Sequence, residues 1–422
     1  MSARMTTPRS VIEVLAARVR ERPEQTTLLE KRLGRWCPST IDDLYRTIGE
    51  LAFGLRKHGV NGGHVGALLI ATGASWLVAD LALQSLGGRS LAIDPQSPAA
   101  EITSALAETG SRIAFVDSWE TAETLMSGRD RGDFPALGLL IGVGPLAPET
   151  GSYEGWVSYV ELCGQGRKLL EAGENFERLI EERDPLEAAV ITLSTDADGK
   201  RRRTLVDHSR LLAGSRAMVE AFGLTDKDRV FALEKLADPI ERSATLYAAL
   251  LSDALLMLPE SASTAMSSLR EVSPTYVHVS GQWLSKLGLA IHARLKRARG
   301  LKGWVVRWWL RHAKHPDRTH QPPRAGRWLV GNPVLHKLGL DHTRILVVSG
   351  ATSPNVLRFF TALGLAIQSV NSRADGSVIV GVNTDVRIGS DERAAIDDFD
   401  RAWNETAEAG AVHSARPSPE PR

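Results

Sequence analysis

Cysteine is almost absent from this sequence: 422 residues contain only Cys37 and Cys163. A disulfide framework is therefore excluded as the organising device, and a reducing, cytoplasmic compartment is expected. Nor do the two cysteines show the spacing of metal ligands. A charge of one sign is lacking as well. The 51 Lys and Arg nearly cancel the 50 Asp and Glu, so the whole chain makes no electrostatic case for nucleic acid. Long apolar runs are missing too. The opening MSARMTTPRSVIEVLAARVRERPE repeats its apolar positions at helical spacing. It lacks the continuous apolar core and small-residue cleavage site of a signal peptide. The nearest approach to a membrane span, residues 66–88, contains Asp80 and is broken by ATGAS. It is expected to be a buried strand followed by a helix, with Ser75 as the helix cap. No internal repeat of fixed period is present.

What remains is the composition of an ordinary globular protein, 43% apolar and 24% charged. The length suits one large α/β domain or two packed subdomains. Short apolar strands alternate with helical segments, the pattern of a largely parallel sheet. Strands are expected at residues 65–70, 90–95, 112–118, 137–143 and 188–194. Others are expected in RVFALEKL, ALLML, PTYVHVSG and RILVVSG. The helix over residues 97–110 has an Asx- or Ser-type start and a glycine stop. Residues 144–155 read as a linker rich in Pro, Gly and Glu. After residue 194 a polar loop leads to a helix from about Ser209. The ending ARPSPEPR reads as a disordered tail.

Four stretches carry a resemblance. They are EKRLGRWCPSTIDDLYRTIGELAFGLRKHGV, WLVADLALQSLGGRSLAIDPQSPAAEI, DRVFALEKLADPIERSATLYAALLSDALLMLPES and LGLDHTRILVVSGATSPNVLRFFTALGLAIQSV. In this order they resemble segments of the long-chain acyl-CoA synthetases of the adenylate-forming superfamily. The resemblance spans roughly residues 10–390. It implies an α/β fold, the large N-terminal domain of an adenylate-forming enzyme with two similar subdomains. It also implies ATP, Mg²⁺, coenzyme A and a long-chain acyl substrate. Backbone amides, a lysine and Mg²⁺ would stabilise charge on the phosphates.

The family's phosphate loop reads approximately T-S-G-T-T-G-x-P-K-G. The matching residues here are Ser194-Thr195-Asp196-Ala197-Asp198-Gly199-Lys200-Arg201-Arg202-Arg203, followed by His208. Ser194, Thr195 and Gly199 keep the family's character, and Arg202 stands where the lysine belongs. Asp196 and Arg203 replace glycines, and Asp198 replaces a threonine. A glycine-rich loop works because its amides approach the phosphates closely. Two carboxylates would repel the triphosphate; arginines could offset that, since the guanidinium pairs well with phosphate. The alternative reading is a solvated, charged turn on a retained scaffold.

The resemblance implies a Y-G-x-T-E landmark whose tyrosine stacks on adenine and whose glutamate holds Mg²⁺. Here Asn371 and Asp375 take those places. Asp375 can still ligate a hard cation, though a lone Asp is also a common turn residue. In the family's LPLAHVFER-like segment the proline is Lys235 and the histidine is Asp238. In a VPRVWEKL-like segment the proline and arginine are Ser280 and Gly281, while Trp283 remains. The small C-terminal lid domain, with its catalytic lysine, is expected to be lacking, and with it the lid rotation of the second half-reaction. Residues 391–422 read as an unrelated helix and tail.

One stretch stands apart from the resemblance. No acidic residue lies between Glu271 and Asp317, and LKGWVVRWWLRHAKH places Trp304, Arg307, Trp308 and Arg311 within it. Trp304 and Trp308, four apart, share a helical face. Basic residues with tryptophan on a helix compose a membrane-surface element. The alternative is a helix whose tryptophans pack inward and whose basic face is solvated. Nucleic acid has no recognition motif here.

Two functions follow. One is a diverged fatty acid–CoA ligase-like protein, catalytically impaired, that binds an acyl ligand, a membrane or a protein partner. The other is an active adenylate-forming ligase. The altered phosphate loop favours the first.

Overall fold

The computed structural model describes residues 8–146, 154–195, 201–313, 324–372, 378–380 and 393–401. The chain divides into two compact units, residues 1–265 with 372–379, and residues 266–371 with 380–422.

In the first unit a seven-stranded sheet runs in the order Trp156–Ser158, Leu139–Gly142, Ile113–Val116, Val65–Leu69, Arg89–Ala92, Ala188–Thr195, Arg201–Asp207. Every neighbouring pair is parallel except the last, an antiparallel hairpin. Parallel strands covered on both faces must be apolar throughout, and Val65–Leu69 is buried at all five positions. Leu69, Leu91, Val116 and Leu140 pack with Ile102, Leu106 and Leu125 of the covering helices into one core. Those helices stop where the sequence supplies glycine. Gly110 and Gly132 take positive φ after Ala99–Thr109 and Trp119–Arg131, a conformation without steric cost only for glycine.

Two details depart from the sequence reading. Ser75 is not the cap of helix Ala74–Ser85; Gly73 holds that position, and the Glu30 carboxylate accepts from the Ala74 amide at 2.8 Å. The helix at Ala99–Thr109 likewise begins on Pro98 with no side-chain cap. In both places the expected local oxygen is absent from the helix end.

A second run of strands in this unit orders Arg229–Phe231, Leu255–Leu258, Thr26–Arg32 and Arg35–Thr40, the first three parallel and the last closing a hairpin. Helices Ile41–Lys57 and Tyr159–Glu171 cross at glycines. A Cβ on Gly54 would overlap the Leu162 carbonyl oxygen, and one on Gly166 the Glu50 carbonyl oxygen. Beside the crossing, Arg167 grips the Glu50 carboxylate with two bonds, 2.8 and 3.0 Å.

At the heart of the unit lies Asp80, fully buried on helix Ala74–Ser85. Its carboxylate accepts from Ser90 Oγ and from the Tyr247 hydroxyl, both at 2.5 Å. Arg242 Nη1 stands 3.7 Å away, and its guanidinium lies over Trp76, 4.8 Å from the ring centroid. Gln84 donates to the same tyrosine oxygen at 2.8 Å. Residues 242 and 247 belong to a π-helical segment, Arg242–Tyr247. In an α-helix, residues five apart diverge by about 140°. The i→i+5 turn brings them into line, so both reach one carboxylate. Burial, and next the charge of Asp80, push the Tyr247 hydroxyl well above the usual tyrosine range.

The second unit holds three parallel strands, Tyr276–Ser280, Ile345–Ser349 and Ile367–Ser372. Helices Gly281–Lys296, Gly300–Ala313 and Pro354–Leu363 belong to it. Residues 393–401, within the stretch that read as an unrelated helix and tail, form a helix of this unit. Phe399 is buried against Phe359, ring centroids 5.7 Å apart. Asp400 accepts from Ser353 Oγ at 2.6 Å and from Asn355 Nδ2 at 3.1 Å, at the start of Pro354–Leu363. The tail that follows lies outside the described residues. No described helix is long and apolar enough to cross a membrane.

Replacing Arg242 with Leu should cost about 3–5 kcal/mol, because the Asp80 charge is left buried without its partner. Urea denaturation measures this, and a loss below about 1 kcal/mol would contradict it. The double variant Asp80→Asn, Arg242→Leu should lose less than the sum of the single changes.

Candidate functional site

The chemistry expected of the phosphate loop depends on a hairpin. Strand Ala188–Thr195 continues the parallel sheet, paired with Arg89–Ala92 through Ser90↔Val190 and Leu91↔Ile191. It then turns back as Arg201–Asp207, which the sequence alone presents as a polar loop. The register sets Ser194 opposite Arg202 and Thr195 opposite Arg201. Ser194, Arg202 and Arg203 are exposed. Asp196, Asp198 and Gly199, on which the loop's fitness turns, lie outside the described residues. Arg201 reaches helix Ala99–Thr109. Its Nη1 donates to Ser104 Oγ at 2.8 Å and lies 3.9 Å from the Glu108 carboxylate.

The hairpin delivers the chain into helix His208–Phe222, where Asp207 caps the start by accepting from the Arg210 amide at 2.7 Å. His208 is buried to 1% exposure, and its Nε2 has no hydrogen-bond partner in the protein. Burial outweighs the neighbouring carboxylate of Asp207 and holds its pKa down to about 4. This imidazole is neutral at physiological pH. It is buried within the first turn of the helix.

Other substituted positions in the first unit are engaged in bonds within that unit. Lys235 pairs with Asp94 at 2.6 Å and donates to Gln96 Oε1 at 3.0 Å. Asp238 caps the turn Pro239–Glu241, accepting from the amides of Ile240 at 2.7 Å and Glu241 at 3.4 Å. The Lys235 pairing was not visible in the sequence, since Lys235 and Asp94 are far apart along it. Arg242 and Tyr247, in the segment that follows, build the polar network around Asp80.

In the second unit Ser280 caps helix Gly281–Lys296, accepting from the Trp283 amide at 3.2 Å. Gly281 meets the next loop directly. A Cβ there would overlap both the Ala351 carbonyl oxygen and Thr352 Oγ1. Asn371 is buried near the end of strand Ile367–Ser372. Asp375, the expected Mg²⁺ ligand, lies outside the described residues. Among the described residues no group of three or more His, Cys, Asp or Glu could hold a metal ion. The tryptophans of Gly300–Ala313 divide: Trp309 is fully buried, 5.8 Å from the Phe359 ring, Trp304 is exposed and Trp308 half-buried. Arg307 and Arg311 are exposed.

A family profile described as AMP-binding enzyme matches residues 15–371. Several solved structures share the fold. The anthranilate CoA ligase AuaEII in complex with anthranoyl-AMP is similar with a TM-score of 0.63 and 18% identity, over 90% of this chain and 63% of that one. The NpsA N-terminal subdomain of Klebsiella oxytoca in complex with 3-hydroxyanthranilyl-AMSN gives a TM-score of 0.57 and 15% identity, over 91% and 79%. The adenylation domain of a carboxylate reductase from Mycobacterium chelonae gives 0.62 and 12%, over 90% and 59%. This chain thus spans less than two thirds of the length of AuaEII. No curated protein matches its sequence.

His208 sets a pH dependence. Its native pKa near 4 lies below the usual 6.5, so between those values the unfolded chain binds the extra proton. Stability is complete above about pH 6.5 and falls as pH drops towards 4, by up to about 3 kcal/mol. Chemical denaturation across this range should show a shallower slope for His208→Leu than for the parent chain. Parallel slopes would contradict the assignment.

Proposed function

Since the chain belongs to the AMP-binding enzyme family, we propose that it is a diverged relative of the long-chain fatty acid–CoA ligases that binds an acyl ligand without activating it. The observation that carries this reading is Gly281. The resemblance places an arginine there, but the Ala351 carbonyl and Thr352 hydroxyl fill the space a side chain would need. Lys235 and Asp238 support the same reading, since each is used inside the scaffold. Arg201 is turned to Ser104 and Glu108. These residues do not fit a Mg-ATP cradle.

The sequence of the loop points the same way. At an effective dielectric near 20, a carboxylate about 4 Å from a phosphate charge costs roughly 4 kcal/mol before screening. That is about a thousandfold in affinity. Asp196 and Asp198 would both act in this sense, and Asn371 cannot stack on adenine as a tyrosine does. The active-ligase reading has its own support. The family match runs through 357 positions from 15 to 371, and Ser194 and Thr195 keep their hydroxyls on a hairpin strand.

Incubation with ATP, Mg²⁺, coenzyme A and a long-chain fatty acid should therefore give no acyl-CoA, and no acyl-adenylate in the absence of coenzyme A. Calorimetry should detect the fatty acid but no saturable ATP binding in the sub-millimolar range. Either product, or tight ATP binding, would restore the ligase. The variant Asp196→Gly, Asp198→Thr should raise ATP affinity where the loop keeps the family's shape. Gly281→Ala should destabilise the protein by about 1–3 kcal/mol through overpacking.

A further inference from the structure

Eight large hydrophobic side chains are exposed among the described residues, and four of them fall between positions 301 and 329. Leu301 and Trp304, 79% and 57% exposed, stand on helix Gly300–Ala313; Trp328 and Leu329, 70% and 46% exposed, stand on the π-helical segment Arg327–Gly331. The two elements adjoin. A Cβ on Gly326 would come within 3.3 Å of the Trp308 ring and closer still to Trp309.

The helix is two-faced. Gly303, Val306, Leu310 and Ala313 are buried with Trp309, at helical spacing, and form its inner side. Leu301, Trp304, Trp308 and Arg311 recur at three- and four-residue steps on the other. Lys302, Arg307 and Arg311 are all exposed, in a stretch that carries no acid from residue 272 to residue 316, and Arg327 is exposed beside Trp328. Exposed tryptophan and leucine bordered by Lys and Arg match one environment in particular. Tryptophan settles at the level of lipid headgroups, and long cationic chains reach their phosphates. A protein–protein interface also gathers Trp and Arg but is depleted in Lys, and Lys302 stands exposed in this patch.

We infer that this face docks on an anionic lipid bilayer. The helix lies flat in the headgroup layer, with Leu301, Trp304, Trp328 and Leu329 inserted and Lys302, Arg307 and Arg311 at the phosphates. The helix is too short and too charged to cross.

Flotation of the full chain with phosphatidylcholine vesicles, with and without phosphatidylglycerol, tests this. The protein should float with the anionic vesicles and not with the neutral ones. Raising salt should weaken the binding, since the charged part is screened. Arg307→Ala with Arg311→Ala should lower affinity roughly tenfold or more, each cation near the surface contributing on the order of 1 kcal/mol. Trp304→Ser with Trp328→Ser should abolish flotation. All four side chains are solvent-facing or partly so, so thermal unfolding of the variants should match the parent, and the arginine pair tests the idea even if the tryptophan pair misfolds. Equal flotation of parent and both variants would overturn the proposal, because the binding would lie elsewhere. So would failure of the parent to float, including the case where it forms a dimer that Trp304→Ser dissolves, which would make the face a contact between copies of the chain.

Discussion

A carboxylate with no exposed surface must be neutralised where it stands, and in the first unit that condition falls on Asp80. Taking an ion out of water costs several kcal/mol even after relaxation. The surroundings supply what water would have given: two hydroxyls, one guanidinium and, behind the guanidinium, the face of Trp76. Ser90 comes from a sheet strand and Arg242 and Tyr247 from a π-helical segment, so one side chain ties together elements about ten and 160 residues away. The departure from α-helical geometry at Arg242–Tyr247 is the means by which both partners point the same way. A regular helix there would offer the carboxylate only one of them.

Much of the architecture was legible because parallel strands announce themselves. Val65–Leu69, Ile113–Val116, Tyr276–Ser280 and Ile345–Ser349 are short apolar runs, and each is buried almost throughout. The strand Arg201–Asp207 was not legible. It lies at the sheet's edge, where one face is solvated, so its arginines look like a loop in the sequence while its backbone pairs with Ala188–Thr195. Ser75 misled for a different reason. A cap can be supplied from far along the chain, as Glu30 does for Ala74, and local pattern has no access to that.

The candidate site was half legible. The substitutions in the loop and at positions 235, 238, 280 and 281 were visible as departures from a resemblance, but not what each departure does. Lys235 and Asp94 make a pair only once the fold brings them together. The tryptophans of Gly300–Ala313 could have been sorted from the sequence. Positions 303, 306, 310 and 313 are small or apolar at helical steps and mark the inner face, with Trp309 beside it and Trp304 outside it. Trp328 and Leu329 gave no such sign, because a π-helical segment breaks the 3.6-residue period on which the sorting depends.

The closed space at Gly281 bears on how such a sequence can change over generations. Any replacement of glycine adds at least one carbon, and here that carbon meets the Ala351 carbonyl, a backbone atom that no rotamer can move aside. A larger residue here therefore comes at a cost in stability, and a shift of the backbone around residues 351 and 352, some 70 positions along the chain, is what would make room for it.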